Sequence, residues 1–198
     1  MGGPRRTADH YSKRARAERY PARSIYKLEE IDRRVRLIRP GFSVLDLGAA
    51  PGSWTLYASK KVGPKGRVVA VDRAALTVGT PANVVYVQAD ALAIDPPALL
   101  AEVGGNGFDA VISDMAPRTS GHRFVDQSRS VELFSRAVEL AGALCRPGGN
   151  FVGKIFQGGE FETARGSLRE LFGQVRVIRP ASVRSESYEV YLVGLGRR

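Results

Sequence analysis

The chain has 198 residues, 43% hydrophobic and 25% charged. That balance belongs to a globular protein with a real core and excludes collagen, coiled coil and wholesale disorder. Thirty Lys and Arg against twenty Asp and Glu give a net charge of +10 and point to a polyanionic partner, nucleic acid ahead of membrane.

Ten Arg and two Lys against five acids place +7 of that charge in residues 1–40. The first twenty residues are Arg-rich without apolar periodicity, so they are expected to form an arm ordered mainly on binding. Pro21 precedes a helical pattern with Ile25, Leu28, Ile31 and Val35 on one face, ended by Arg39-Pro40-Gly41. Strands are then expected over 43–47, 66–71, 84–87, 108–112 and 150–156, and at the chain end over 174–178 and 188–195. Helices are expected over 25–35, 54–61, 127–145 and 161–172. The 127–145 helix stops at Arg146-Pro147-Gly148-Gly149. Continuous Val, Ile and Ala runs are buried on both faces, as in a mostly parallel sheet between helix layers. The expected fold is therefore a doubly wound α/β, Rossmann-like sheet of seven strands. The short connection Arg179–Ser187 makes one of the last two strands antiparallel. One domain is expected over 1–198, with 1–40 as a basic helical extension within it.

Single Cys145 excludes a disulfide framework, and with only His10 and His122 no metal site is expected. Cys145 reads as a small buried hydrophobe in a reducing compartment, the cytoplasm. No apolar run is long enough to span a membrane, and the polar, basic N-terminus has no leader-like core.

In a doubly wound sheet the ligand lies beyond the carboxyl ends of the strands. The first strand runs into Gly48-Ala49-Ala50-Pro51-Gly52-Ser53-Trp54. Gly48 and Gly52 permit a tight turn, and the helix that follows offers free amides to an anion. The spacing is G-x-x-x-G, not G-x-G-x-x-G, and Pro51 removes one N–H, so a small carboxylate fits better than a diphosphate. A nicotinamide cofactor is disfavoured for the same reason. Asp72 closes the second strand, 24 residues after Gly48, where an acid accepts from ribose hydroxyls. Asp90 follows the third strand, where an acid suits an exocyclic adenine amine. Each alone reads as a loop or cap aspartate; together with the turn they describe a nucleoside with a carboxylate tail, the shape of S-adenosylmethionine.

Asp46-Leu47-Gly48-Ala49-Ala50-Pro51-Gly52-Ser53-Trp54, Ser113-Asp114-Met115-Ala116-Pro117, Val152-Gly153-Lys154-Ile155-Phe156-Gln157-Gly158 and Ser187-Tyr188-Glu189-Val190-Tyr191 resemble the FtsJ/RrmJ ribose 2′-O-methyltransferases. Asp9-His10-Tyr11-Ser12 and Ala22-Arg23-Ser24-Ile25-Tyr26-Lys27-Leu28 match the N-terminal pattern of that family, and the motifs run in order over nearly the whole chain. The resemblance implies a catalytic tetrad of Lys27, Asp114, Lys154 and Glu189, and S-adenosylmethionine contacts at Gly52, Trp54, Asp72, Asp90 and Asp114. Ser53 stands where the family usually has glycine and is expected to cap the helix without loss of binding.

Plainer readings exist for several of these residues. Lys27, beside Glu29 and Glu30, is by default a charge on a helix face, and Glu189 an outward acid on an edge strand. Trp54 could be a core aromatic. Lys154 within Phe-Val-Gly-Lys-Ile-Phe and Asp114 closing Ala-Val-Ile-Ser-Asp have no packing reason to be there.

The implied reaction is in-line attack of a ribose 2′-hydroxyl on a sulfonium methyl, and no metal is needed because the leaving group becomes neutral. Two roles for Lys154 are open: a neutral amine that removes the proton, or an ammonium that orients the hydroxyl. Arg5, Arg6, Lys13, Arg14, Arg16, Arg19 and Arg23 are expected to contact RNA phosphates. Tyr11 or Tyr20 would be available for base stacking, and a loop with Arg118, His122 and Arg123 would cover the target nucleotide. The compact length resembles the bacterial-type enzyme acting as a monomer on a uridine of large-subunit ribosomal RNA, free or in a 50S-type subunit. The alternatives are a tRNA 2′-O-methyltransferase and a non-catalytic RNA-binding or ribosome-assembly factor.

Overall fold

The computed structural model describes residues 5–198, with side chains from residue 10 onward. In chain order the elements are α1 (Arg5–Ala17), α2 (Ile25–Val35), β1 (Ser43–Leu47), α3 (Ser53–Val62), β2 (Arg67–Asp72), β3 (Val84–Gln88), α4 (Pro96–Ala101) and β4 (Phe108–Ser113). These are followed by α5 (Arg123–Leu144), β5 (Cys145–Phe156), α6 (Phe161–Leu171), β6 (Phe172–Ile178) and β7 (Glu189–Arg197). The strands form one sheet in the order β3-β2-β1-β4-β5-β7-β6. The first five are parallel, and β7 alone runs antiparallel, to β5 on one side and β6 on the other. The chain winds outward from β1 to β3, then crosses back to β4. The crossovers therefore diverge between β1 and β4, where a crevice opens at the carboxyl edge.

Alternation along each strand sorts the core into two layers. Leu45, Leu47, Val69, Val71, Val111, Phe151 and Ile155 pack under α4, α5 and α6. Val44, Val68, Ala70, Ala110, Ile112, Val152, Tyr191 and Val193 pack under α2 and α3. By the same alternation Asp46, Lys154, Glu189 and Tyr191 all point to the α2/α3 face. This parity brings polar residues from distant strands together beneath one helix.

The arm is not waiting for a ligand to order it: residues 5–17 form α1, docked on α2. Ala15 is buried, the Tyr11 and Tyr26 rings lie 5.4 Å apart, and the Arg14 guanidinium sits 4.4 Å over Tyr26. The Tyr26 hydroxyl donates to Glu18 at 3.1 Å. The apolar contacts come from a few aromatic and small residues among arginines, too sparse to register as a period. The short helix α4 was also not anticipated; Pro96 and Pro97 open it and Leu99 is its one buried residue. Among the described residues no helix is long and apolar enough to cross a membrane.

Candidate active site

A cleft of about 820 Å3 lies over the carboxyl ends of β1, β2 and β4, within the range of cavities that hold cofactor-sized ligands. Gly48, Ala50, Asp72, Asp90, Asp114, Met115 and Pro117 line it, with Arg129, Glu132 and Leu133 contributed by α5. The glycine turn is shaped by lack of room. Gly48 has φ +76°, and a Cβ there would lie 2.7 Å from Met115 Cγ and 2.9 Å from the Met115 nitrogen. Gly52 has φ +114°, with Val78 Cγ2 2.5 Å from where a Cβ would sit. Both positions demand glycine. The first ladder bond of α3 runs from Leu56 N to Gly52 O, so the amides of Ser53, Trp54 and Thr55 lie outside the ladder.

Asp72 holds this turn. Its Oδ2 accepts from Ala50 N at 2.9 Å and its Oδ1 from Ala74 N at 2.8 Å, leaving lone pairs on both oxygens. Asp90 Oδ1 accepts from Leu92 N at 3.0 Å, and Arg73 approaches its other oxygen at 3.7 Å. Gly52 and Trp54 are not on the cleft wall. The Trp54 side chain is buried, 5.8 Å from the Tyr191 ring, and its Nε1 donates to Ser24 O at 2.9 Å. Ser53 does not cap α3; its hydroxyl faces away from the turn, accepting from Ala22 N at 2.8 Å and donating to Ala22 O at 3.0 Å.

The four residues of the expected tetrad meet as two ion pairs. Lys154 Nζ donates to Asp114 Oδ1 at 3.0 Å and to Asp114 O at 2.6 Å, with Lys154 only 8% exposed. Lys27 pairs with Glu189. Neither plainer reading holds: Lys27 is on the inner side of α2, and β7 lies between β5 and β6, so Glu189 is not on an edge. Tyr191 donates to Asp114 Oδ1 at 2.8 Å. Burial by itself would raise the Asp114 carboxyl, but Lys154, Lys27 and the Tyr191 hydroxyl outweigh it and hold it below its ordinary value. Burial, with the Asp114 and Glu189 charges, drives the Tyr191 phenol well above its ordinary range. Lys27 thus acts on Asp114 as well as on Glu189, and the two pairs form one electrostatic cluster.

A family model described as FtsJ-like methyltransferase matches residues 20–197. The chain belongs to that family. A protein named ribosomal RNA large subunit methyltransferase E from Sorangium cellulosum is 52% identical over 195 residues, covering 98% of this chain and 91% of that one. Its namesake from Myxococcus xanthus is 48% identical over 198 residues, covering 100% and 93%. Among solved structures, a ribosomal RNA methyltransferase from Plasmodium falciparum superposes with TM-score 0.78 at 23% identity, over 90% of this chain and 98% of that one. Aeropyrum pernix fibrillarin, solved with natively bound S-adenosyl-L-methionine, superposes with TM-score 0.57 at 16% identity, over 80% and 68%. At those identities the structures establish the fold alone. The FtsJ-like chain is an S-adenosylmethionine-dependent RNA methyltransferase.

The site of this FtsJ-like enzyme holds residues that the sequence pattern did not single out. Tyr191 fell inside a quoted motif but was assigned no part. Asp46, an acid inside Val-Leu-Asp-Leu, is fully buried; Thr55 Oγ1 lies 2.7 Å from its Oδ2 and its Oδ1 has no partner. Burial pushes the Asp46 carboxyl up to about 7, against the Thr55 bond and with help from the Asp114 and Asp72 charges. The basic face is more engaged than expected. Tyr11 packs on Tyr26, Lys60 Nζ lies 4.6 Å over the Tyr20 ring, and Arg123 lies 5.3 Å over Tyr188. Neither Tyr11 nor Tyr20 is therefore a spare stacking ring. Lys13, Arg14, Arg16 and Arg19 are exposed, whereas the side chains of Arg5 and Arg6 lie outside the described residues.

Proposed function

We propose that the chain transfers a methyl group from S-adenosylmethionine to a ribose 2′-hydroxyl of a uridine in large-subunit ribosomal RNA. The observation that carries this reading is the buried Lys154–Asp114 pair, whose Asp114 lines the cleft, with Lys27–Glu189 beside it. The names of the relatives at 41–52% identity over nearly the whole chain support the choice of RNA.

The cleft fits the methyl donor on its own geometry. Gly48, Asp72 and Asp90 line it, the turn is pressed against Met115 and Val78 with no room for a side chain, and the free amides at the start of α3 follow directly. Asp72 would accept from the ribose hydroxyls of the cofactor and Asp90 from the adenine amine, while the amides at the start of α3 would receive the carboxylate. Gly52 and Trp54 take part through the main chain, since the indole is committed to Ser24. Bound S-adenosylmethionine supplies an electrophilic methyl on a charged sulfur.

The rest of the task falls to side chains of this chain. As an ammonium, Lys154 spends two N–H bonds on Asp114, leaving a third for the ribose oxygen. The two bonds to Asp114 fix the Lys154 amino group in place, and on this reading its role is the orienting one. Lys154 therefore aims a lone pair of the 2′-hydroxyl at the methyl carbon, and much of the rate comes from that alignment. Glu189 holds Lys27 beside the Lys154–Asp114 pair, adding positive potential where the hydroxyl would lose its proton to water as the bond from oxygen to methyl forms and that from sulfur to methyl breaks. The exposed cations of α1 receive the RNA backbone. A cytoplasmic monomer completes the reading; the exposed large apolar side chains among the described residues, Leu92, Phe124, Val125 and Val177, are too few for an extended subunit interface.

Transfer of labelled methyl to ribosomal subunits, naked ribosomal RNA and tRNA tests the reading, with wild type and Lys154→Ala. Label on one ribose of the large-subunit RNA, lost in the variant at unchanged cofactor affinity, is expected. Label on tRNA, on a base, or undiminished in the variant would refute it.

A further inference from the structure

Helix α2 carries Lys27 in its first turn, yet nothing in its own sequence fixes where it starts. Ser24 stands at the N-cap and makes no side-chain cap bond. The preceding segment, Pro21-Ala22-Arg23-Ser24, is held from outside. Ser53 makes a reciprocal pair with Ala22, accepting from its amide at 2.8 Å and donating to its carbonyl at 3.0 Å. The Trp54 indole donates to Ser24 O at 2.9 Å, the same carbonyl that accepts from Lys27 N at 3.1 Å. Arg23 donates to Ser182 O in the connection that leads into Glu189. Ser53 and Trp54 are nearly fully buried, and their side chains point to this strap, not into the cleft.

We propose that Ser53 is a positioning residue for methyl transfer. Through its two bonds to Ala22, with the Trp54 indole as a second tie, it sets the start of α2 and so the place of Lys27 beside Glu189. The main chain of one tripeptide, Gly52-Ser53-Trp54, lies at the cofactor turn while its side chains hold the RNA-facing helix. The register between the two reactants is thereby built into one short segment. This rests on the assignment of Lys27 to the active site.

A kinetic double-mutant cycle tests it, using Ser53→Ala, Lys27→Met and the double variant in the full chain, with Trp54→Phe as an independent cut of the second tie. The readouts are kcat and KM on ribosomal RNA, the dissociation constant of S-adenosylmethionine, and the melting temperature. Loss of two hydrogen bonds to a strap is expected to lower kcat on the order of tenfold in Ser53→Ala, with cofactor affinity within about threefold of wild type. In the Lys27→Met background the same substitution is expected to cost little further, because the group it positions is gone. Trp54→Phe is expected to lower kcat in the same sense by a smaller factor, again only when Lys27 is present.

An equal loss in both backgrounds would make Ser53 purely structural and overturn the proposal, as would an unchanged kcat or a loss explained by weaker cofactor binding. If Lys27→Met alone leaves kcat unchanged, the Lys27 assignment itself fails, an outcome distinct from failure of the latch. Should Ser53→Ala not fold, the cycle is run with Trp54→Phe under the same criteria.

Discussion

Replacing Asp46 with asparagine isolates the electrostatic cost of an acid buried in β1 against Thr55 of α3. In the folded chain its carboxyl is raised from 3.8 to about 7, so the fold favours the protonated form. A group with a raised folded pKa binds more protons folded than unfolded between the two values. Stability is therefore present in full below about pH 4, is lost as pH rises toward 7, and is flat above. A shift of about three units corresponds to at most about 4 kcal/mol, of which roughly 2–3 kcal/mol falls between pH 5 and pH 8. Asparagine keeps an oxygen for the Thr55 hydroxyl and carries no charge, so its stability should lack this slope. Urea unfolding of both proteins at pH 5, 6, 7 and 8 reads the difference directly. Asp114, whose folded value is lowered, contributes the opposite slope only at acid pH, below the unfolded carboxylate value, and so does not enter between pH 5 and pH 8. Asp46→Asn should gain on wild type by about 2–3 kcal/mol from pH 5 to pH 8. Parallel stability curves would refute the reasoning, because an ionised Asp46 would then be tolerated without cost.

Asp72→Ala should weaken S-adenosylmethionine binding by more than a single ribose bond, about 1.5–3 kcal/mol, since the Ala50 and Ala74 amides also lose their acceptor. Asp72→Asn, which keeps one acceptor, should fall between Ala and wild type by calorimetry; equal affinities would remove Asp72 from the site. Tyr191→Phe removes one of the contacts that lower the Asp114 carboxyl, so the acid limb of the transfer rate should move to higher pH, with an unmoved limb counting against the cluster. Arg16→Gln with Arg19→Gln, both exposed on the basic face, should reduce the salt slope of RNA binding by about 1–2, at roughly 0.7–0.9 per phosphate contact. An unchanged slope would place the RNA elsewhere.

The strands, their parallel arrangement and the singular character of Lys154 and Asp114 could be read from the chain because each rests on local pattern. Continuous Val and Ile runs announce doubly covered strands, and Lys154 stands out because nothing else explains a lysine among Phe, Val and Ile. Lys27 and Glu189 carried no such signal. Each looks like a surface charge until α2 and β7 are seen to face each other, and only the motif resemblance pointed to them. Helix α1 escaped notice because Tyr11 and Ala15 bury against Tyr26 and Ile25, a contact set by a partner helix and not by periodicity. Ser53 departs from expectation for a related reason: at the start of a helix a serine ordinarily caps it, but here a neighbouring strap offers both a donor and an acceptor.

Sequence alone thus determined the doubly wound sheet, the glycine turn and the kinds of residue the chemistry uses, since period, spacing and residue type are properties of contiguous chain. Tertiary structure alone decided which acid pairs with which lysine, that burial raises the Asp46 carboxyl, and that the indole of Trp54 serves α2 and not the cleft. Those outcomes depend on strand parity and on distances between elements far apart in sequence, where burial and charge act through space.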